Sequence, residues 1–267
     1  EAPVRQSSRY ILTVENPLDR DAEIIMGTAG GDQWWSCDND EIRVSELSPL
    51  QGNTEGQFEV EYRPLKPTTE PRDHLLTLMS TSLGTFKYKI NVTATQPTLK
   101  QTLNFEVPLG SSQELDYTFT AFGGGASATT EVKNEGVFQV AKTVSIGAAS
   151  DWNGVQVKVP VKFEPTDIGS THDTLTLSTP DGGRYTCELV AECIAPLPQG
   201  PFDLTPGANR AIDFRNCFDA GASFAFSVDS SHYKVGSASA TVGAKSNGSV
   251  TVSFSPTEEA AAGSTIS

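Results

Sequence analysis

The sequence is poor in the residues that usually carry chemistry. Its 267 residues include three His and four Cys. No Cys-x-x-Cys or Cys/His cluster has the spacing of a zinc site. No Gly-x-Ser-x-Gly or His-Glu-x-x-His offers a nucleophile or a metal with its base. Basic residues are also scarce: 19 Lys+Arg face 33 Asp+Glu, a net charge of −14. A chain so acidic lacks the footprint of a nucleic-acid binder and is repelled by DNA and anionic membranes. No apolar run approaches the roughly 18–20 residues of a membrane helix. A helical period is nearly missing too; its only patch is Glu258-Glu259-Ala260-Ala261-Ala262, read here as a loop. The composition thus argues against nucleic acid and membrane, and the motifs point to no metal, no cofactor and no catalytic residue.

What is present is punctuation and alternation. The chain has 23 Gly and 16 Pro, and 37% of its residues are hydrophobic, too apolar for a disordered acidic tail. Two Pro-rich junctions stand out, Ala94-Thr95-Gln96-Pro97 and Ala195-Pro196-Leu197-Pro198-Gln199-Gly200-Pro201, with Pro97 and Pro196 99 positions apart. Proline fixes φ and cannot donate to a ladder, so each junction reads as a short, stiff linker. An alternating run ending in aromatic-x-Pro occurs three times: Phe58, Val60, Tyr62-Arg63-Pro64; Val159, Val161, Phe163-Glu164-Pro165; and Val250, Val252, Phe254-Ser255-Pro256. Period-2 alternation marks a strand with one face in a core, and the proline marks its end. Upstream of each run lies an aromatic-x-apolar pair, Trp35/Cys37, Phe138/Val140 and Tyr233/Val235, which the spacing aligns as equivalents. Hairpins follow the first two prolines, Asp73–Leu78 with Lys89–Ala94 and Asp173–Leu177 with Tyr185–Ala191.

Short strands between turn signals predict an all-β chain of tandem immunoglobulin-like β-sandwiches. The expected divisions are 1–97, a sandwich lacking its opening strand, 98–197, a whole one, and 198–267, a third without its last two strands. The opening Glu1-Ala2-Pro3 and the ending Thr265-Ile266-Ser267 read as cuts within a longer protein.

These residues resemble the immunoglobulin-like repeats of the major-sperm-protein superfamily, in the subgroup of centrosomal and ciliary proteins with ASH and hydin-type domains. The likeness rests on the Asn turns Thr13-Val14-Glu15-Asn16-Pro17 and Phe214-Arg215-Asn216-Cys217-Phe218, on Phe224–Asp229, on the aromatic-x-Pro ends and on Pro198-Gln199-Gly200-Pro201. The middle segment departs from it, with Phe119-Thr120-Ala121-Phe122 and then Gly123-Gly124-Gly125 in place of an Asn turn. The resemblance implies a non-catalytic scaffold of the motile axoneme, especially its central apparatus. It would be a monomeric spacer and docking array, reducing in compartment, with other axonemal proteins as partners. The competing reading is an extracellular or bacterial adhesion module. Tubulin is acidic as well, so direct binding to bare microtubules is not expected; repulsion acts over a Debye length of about 8 Å.

Cys187 and Cys193 share one strand and its exit, and six extended residues set them roughly 20 Å apart, too far for a disulfide. His74 and His172 fall at matching hairpin starts and read as exposed turn residues. Asp38-Asn39-Asp40-Glu41 resembles a calcium loop only weakly, lacking its glycine and distal Glu. Asn91-Val92-Thr93 and Asn247-Gly248-Ser249 fit the glycosylation triplet. The one partner-contact candidate is Trp34, which alternates with a core-facing Trp35. Trp34 is either an exposed interface anchor or packed under a loop or a neighbouring domain.

Overall fold

A computed structural model describes residues 1–24, 35–97, 101–180 and 182–255. The described residues form strands and turns, organised in two compact units that divide near residue 100.

In the first unit the strands are β1 (Ala2–Pro3), β2 (Ser8–Asn16), β3 (Trp35–Cys37), β4 (Ile42–Ser48), β5 (Thr54–Tyr62), β6 (Arg72–Ser80), β7 (Gly84–Val92) and β8 (Ala94–Thr95). They make two three-stranded sheets, β2-β5-β4 and β3-β6-β7, with β1 beside β8. The sheets close on Val14, Ile42, Phe58, Val60, Tyr62, Leu76 and Leu78, all buried. Phe58, Val60 and Tyr62 are alternate residues of β5, so the period read from the sequence is the inward face of a central strand. Each such side chain contributes about 1.5–3 kcal/mol by leaving water.

The second unit carries β9 (Gln101–Pro108), β10 (Gln113–Ala121), β11 (Ala126–Glu131), β12 (Phe138–Gln139), β13 (Thr143–Ile146), β14 (Val155–Phe163), β15 (Gly169–Ser178) and β16 (Arg184–Ile194). A sheet β10-β14-β12 faces a sheet β13-β11-β15-β16-β9. Phe105, Phe138 and Phe163 meet in the core with ring centroids 5.2–5.8 Å apart. Beyond them follow β17 (Asn209–Arg215), β18 (Ala222–Ala225), β19 (Tyr233–Val235), β20 (Ser239–Val242) and β21 (Asn247–Phe254), paired as β17-β21-β19 and β18-β20. Pro256 and the 258–262 patch lie outside the described residues.

Strand register corrects the alignment of the aromatic pairs. Phe138 stands opposite Phe163, and Tyr233 opposite Phe254. In the first unit the residue opposite Tyr62 is Ile42, so Ile42 is the equivalent residue. Trp35 belongs to the other sheet, opposite Leu78. The reason is local: Ile24 bridges Ser80 and Trp35 pairs Leu78, so the partner strand moves two places while the chain moves eleven. Those extra residues shifted Trp35 into the expected spacing by coincidence. The histidines are displaced similarly. His74 opposes Ile90 and His172 opposes Val190, whereas the equivalent of Ile90 is Leu189. The two imidazoles therefore lie on strands, one place out of step, and form no shared site.

Register also shows why the middle segment lacks an Asn turn. Asn16, Ala121 and Asn216 occupy one position, at the end of β2, β10 and β17. Asn16 is 0% exposed. Its Nδ2 group donates to the carbonyls of Arg20, Leu50 and Gln51 at 2.9, 3.1 and 3.1 Å, and its Oδ1 accepts from Leu18 N–H. Asn216 repeats the pattern on the carbonyls of Ala220, Val242 and Gly243, accepting from Phe218 N–H. With Ala121 in this place the corner is made differently. Gly154 comes so close that an added Cβ would lie 2.7 Å from Ala121 O, at φ +80, a conformation suited to glycine.

Candidate docking surface

The candidate for chemistry is the cluster around His74. Its Nδ1 lies 3.0 Å from Asp38 Oδ1 and its Nε2 lies 3.2 Å from Asn39 Nδ2. Cys37 Sγ approaches the same Asp38 oxygen at 3.8 Å. A cysteine, a histidine and a carboxylate together suggest a nucleophile, but the arrangement does not supply one. Both ring nitrogens are engaged by Asp38 and Asn39, so neither is free to take a proton from the thiol. Burial, above all, raises the Cys37 pKa, and the neighbouring Asp38 charge adds to it; an activated cysteine needs the reverse. The cluster instead ties the loop after β3 to β6, as Asp38 Oδ1 also accepts Leu75 N–H. Glu41 Oε1 accepts Leu65 N–H and Asn39 Oδ1 accepts Glu41 N–H, so the 38–41 acids serve the loop. Among the described residues no group of three or more His, Cys, Asp or Glu is placed to hold a metal ion, and no helix is long and apolar enough to cross a membrane.

All four cysteines are free. Cys187 is 1% exposed, and burial pushes its thiol up to about 11 from 9.0. Iodoacetamide at pH 8 is expected to label half-buried Cys37 first and Cys187 only on unfolding, since the thiolate reacts. Peptide mass spectrometry checks the order, and equal rates at the two sites would contradict it.

The conspicuous polar feature of the second unit joins β14 to β17. Glu164, the middle residue of an aromatic-x-Pro end, has a side chain only 2% exposed. It receives Arg215 Nε at 2.6 Å, Lys162 Nζ at 3.0 Å and Gln139 Nε2 at 3.4 Å. Burial alone would raise its pKa. Hydrogen bonds from Arg215 and Lys162, with their positive charges, outweigh that and bring it down to about 2. Arg215 is steadied in turn by Asn247 Oδ1 at 3.1 Å. Charge-assisted hydrogen bonds of this kind are roughly twice as strong as neutral ones, and this one ties the end of β14 to the end of β17.

Beside this joint lies an apolar cleft of about 890 Å³, walled by Phe202, Ile212, Phe214, Phe224, Phe226 and Val250 and by the linker around Pro196–Gln199. Val159 is 0% exposed and Phe58 is 0% exposed, while Val250, at the same register position, is only half-buried. The pairing differs as well: β11 lies between β13 and β15, whereas among the described residues β18 pairs with β20. Trp34 lies outside the described residues. Asn91 is exposed in β7, donating to Asp73 Oδ1 at 2.8 Å.

Comparison with known proteins adds one further observation. The chain is similar to hydrocephalus-inducing protein. It is 30% identical over 260 residues to that protein of Mus musculus and 30% over 253 residues to the Homo sapiens homolog. These alignments take in 95% and 94% of this chain but 5% of each relative. No family model matches. Solved structures with a likeness include the D00-D0 domain of Intimin, at 7% identity and a TM-score of 0.28, covering 71% of this chain and 94% of that one. An endo-fucoidan hydrolase of glycoside hydrolase family 107 follows, at 10% identity and a TM-score of 0.31, covering 96% and 38%.

Proposed function

We propose that this chain is a non-catalytic structural segment of a very large ciliary scaffold, in which β-sandwich repeats space and dock other axonemal proteins of the central apparatus. The observation that carries the reading is the 30% identity to hydrocephalus-inducing proteins along 95% of the chain, though it spans 5% of their length. A match of that extent fits one stretch of a long repetitive array. We read the chain as three sandwiches, 1–97, 98–197 and the first part of another from 198. The stretch Pro198–Val235 reads first like the repeats of cilia- and flagella-associated protein 47 and second like those of hydin; the sequence identity supports the second. Assignment to ASH and major-sperm-protein repeats rests on the Asn turns and the aromatic-x-Pro ends. Trp34 stays the proposed partner contact.

The ion-paired joint at Glu164 suits a spacer, because a spacer must keep its angle. With a charge of −14, the segment docks on proteins and not on the acidic tubulin surface. The test is localisation. Antibodies raised to the chain are expected to stain motile axonemes after detergent extraction, while the purified chain stays in the supernatant with bare microtubules. Staining removed with the membrane, or a glycan on Asn91 or Asn247, would overturn the reading and favour an adhesion module.

A further inference from the structure

The inner face of β2 shows that the first sandwich is unfinished along one side. Asn16 and Val14 on that face are 0% and 1% exposed, yet Tyr10, with the same alternation, is 69% exposed. Beneath Tyr10 runs a groove of about 470 Å³ between the sheets, walled by Leu12, Tyr62, Tyr88, Ile90 and Val92. Strand β7 pairs with β6 on one edge, so its other edge presents backbone groups over Tyr88–Asn91 with no neighbouring strand among the described residues.

The second sandwich shows what fits there. By register Tyr88, Ile90 and Val92 correspond to Cys187, Leu189 and Ala191, which are 1%, 0% and 1% exposed. They are covered by β9, which runs parallel to β16 with Leu103 opposite Leu189 and Phe105 opposite Ala191. Phe105 is the plug, 3% exposed and 5.6 Å from the Phe163 ring. Farther along the same pair, Val107 and Pro108 oppose Cys193 and Ile194. In the first sandwich Ala2 and Pro3 oppose Ala94 and Thr95, also in parallel. These positions correspond one to one, so β1 is the end of the same strand, and Glu1 matches Glu106.

We propose that the free edge of β7 and the groove beneath it seat a parallel strand leading directly into Glu1, with apolar side chains opposite Ile90 and Val92. The direction is fixed by continuity with the β1–β8 pair, because a strand arriving from elsewhere would collide with Glu1. Alternation is fixed by the pleat: inward residues meet the groove, and outward ones lie beside exposed Lys89 and Asn91, where polar or acidic residues belong. The second inward residue, at the place of Phe105, is aromatic, because it must fill the space over Tyr62. This edge is then an internal seam, closed to partner proteins, and docking falls to other surfaces.

The test extends the full chain at its N-terminus. One version adds Gln-Thr-Leu-Asn-Phe, the sequence of residues 101–105; the other carries Ser at both apolar places. Hydrogen exchange of the β7 backbone is expected to slow by about tenfold or more in the first and to stay unchanged in the second. The first should also melt about 5 °C or more above the unextended chain. Equal protection by both extensions, or none by the first, overturns the proposal.

Discussion

Replacing Glu164 by Gln should remove the largest pH-dependent term of the second unit. The folded carboxyl titrates at about 2, against 4.5 unperturbed, a difference worth about 3 kcal/mol. The sign follows from the lowered pKa. The ionised form is the one the fold prefers, so this stability is fully present above about pH 4.5 and is lost as the pH falls toward 2. Urea melts of the wild type and E164Q are therefore expected to differ by about 2–3 kcal/mol at pH 7 and to converge near pH 2. A difference independent of pH between 5 and 2 would show that Glu164 acts through packing alone. Arg215→Gln is the partner test. Lys162 remains beside the carboxylate, so the loss should be smaller than the roughly 3–5 kcal/mol of a fully orphaned buried charge.

The second large effect is expected at Asn16. Asn16→Ala strips a corner of the donor that serves the carbonyls of Arg20, Leu50 and Gln51 and of the acceptor for Leu18 N–H. Leu50 O keeps Ala22 N–H and Gln51 O keeps Thr54 N–H, so the loss falls mainly on Arg20 O and Leu18 N–H. Unmet buried groups cost about 1–3 kcal/mol each, less where relaxation admits solvent. A total of about 2 kcal/mol lowers the melting temperature of a unit near 100 residues by on the order of 10 °C. Differential scanning calorimetry checks this. A shift under about 2 °C would mean that the corner can close without Asn, as the Ala121 corner does. The reverse exchange, Ala121→Asn, should also destabilise, because Ala121 is 2% exposed and an amide there overfills a buried place.

Much of the architecture was legible because strand alternation is a local signal. Phe58, Val60 and Tyr62 declare their burial within five residues, and the following proline declares the end. Glycines and prolines mark the turns for the same reason. The position of Ile42 was not legible: the aromatic in the expected place, Trp35, was carried there by extra residues before it, and only pairing distinguishes the two sheets. Asn16 and Asn216 were visible as a motif, but not as donors to three carbonyls, since those carbonyls come from segments distant in sequence. Glu164 and Arg215 are 51 residues apart; each is an ordinary surface charge in the sequence, and only the third dimension makes them a pair. Likewise His74 looked like a turn residue because Asp38, its partner, lies in a different strand–loop segment.

The middle position of the aromatic-x-Pro ends is Arg63, Glu164 and Ser255 in turn, and the residue before each corner is Glu15, Thr120 and Arg215. In this chain Glu164 and Arg215 set opposite charges together, at 2.6 Å. Were the first sandwich placed after the second, Glu164 would meet Glu15, and two carboxylates would share a buried place with Lys162 alone to separate them. Sandwiches of one shape are thus not interchangeable modules. Such an exchange would keep every core and lose the Glu164 ion pair, so what may follow the second sandwich is written in single residues at this seam.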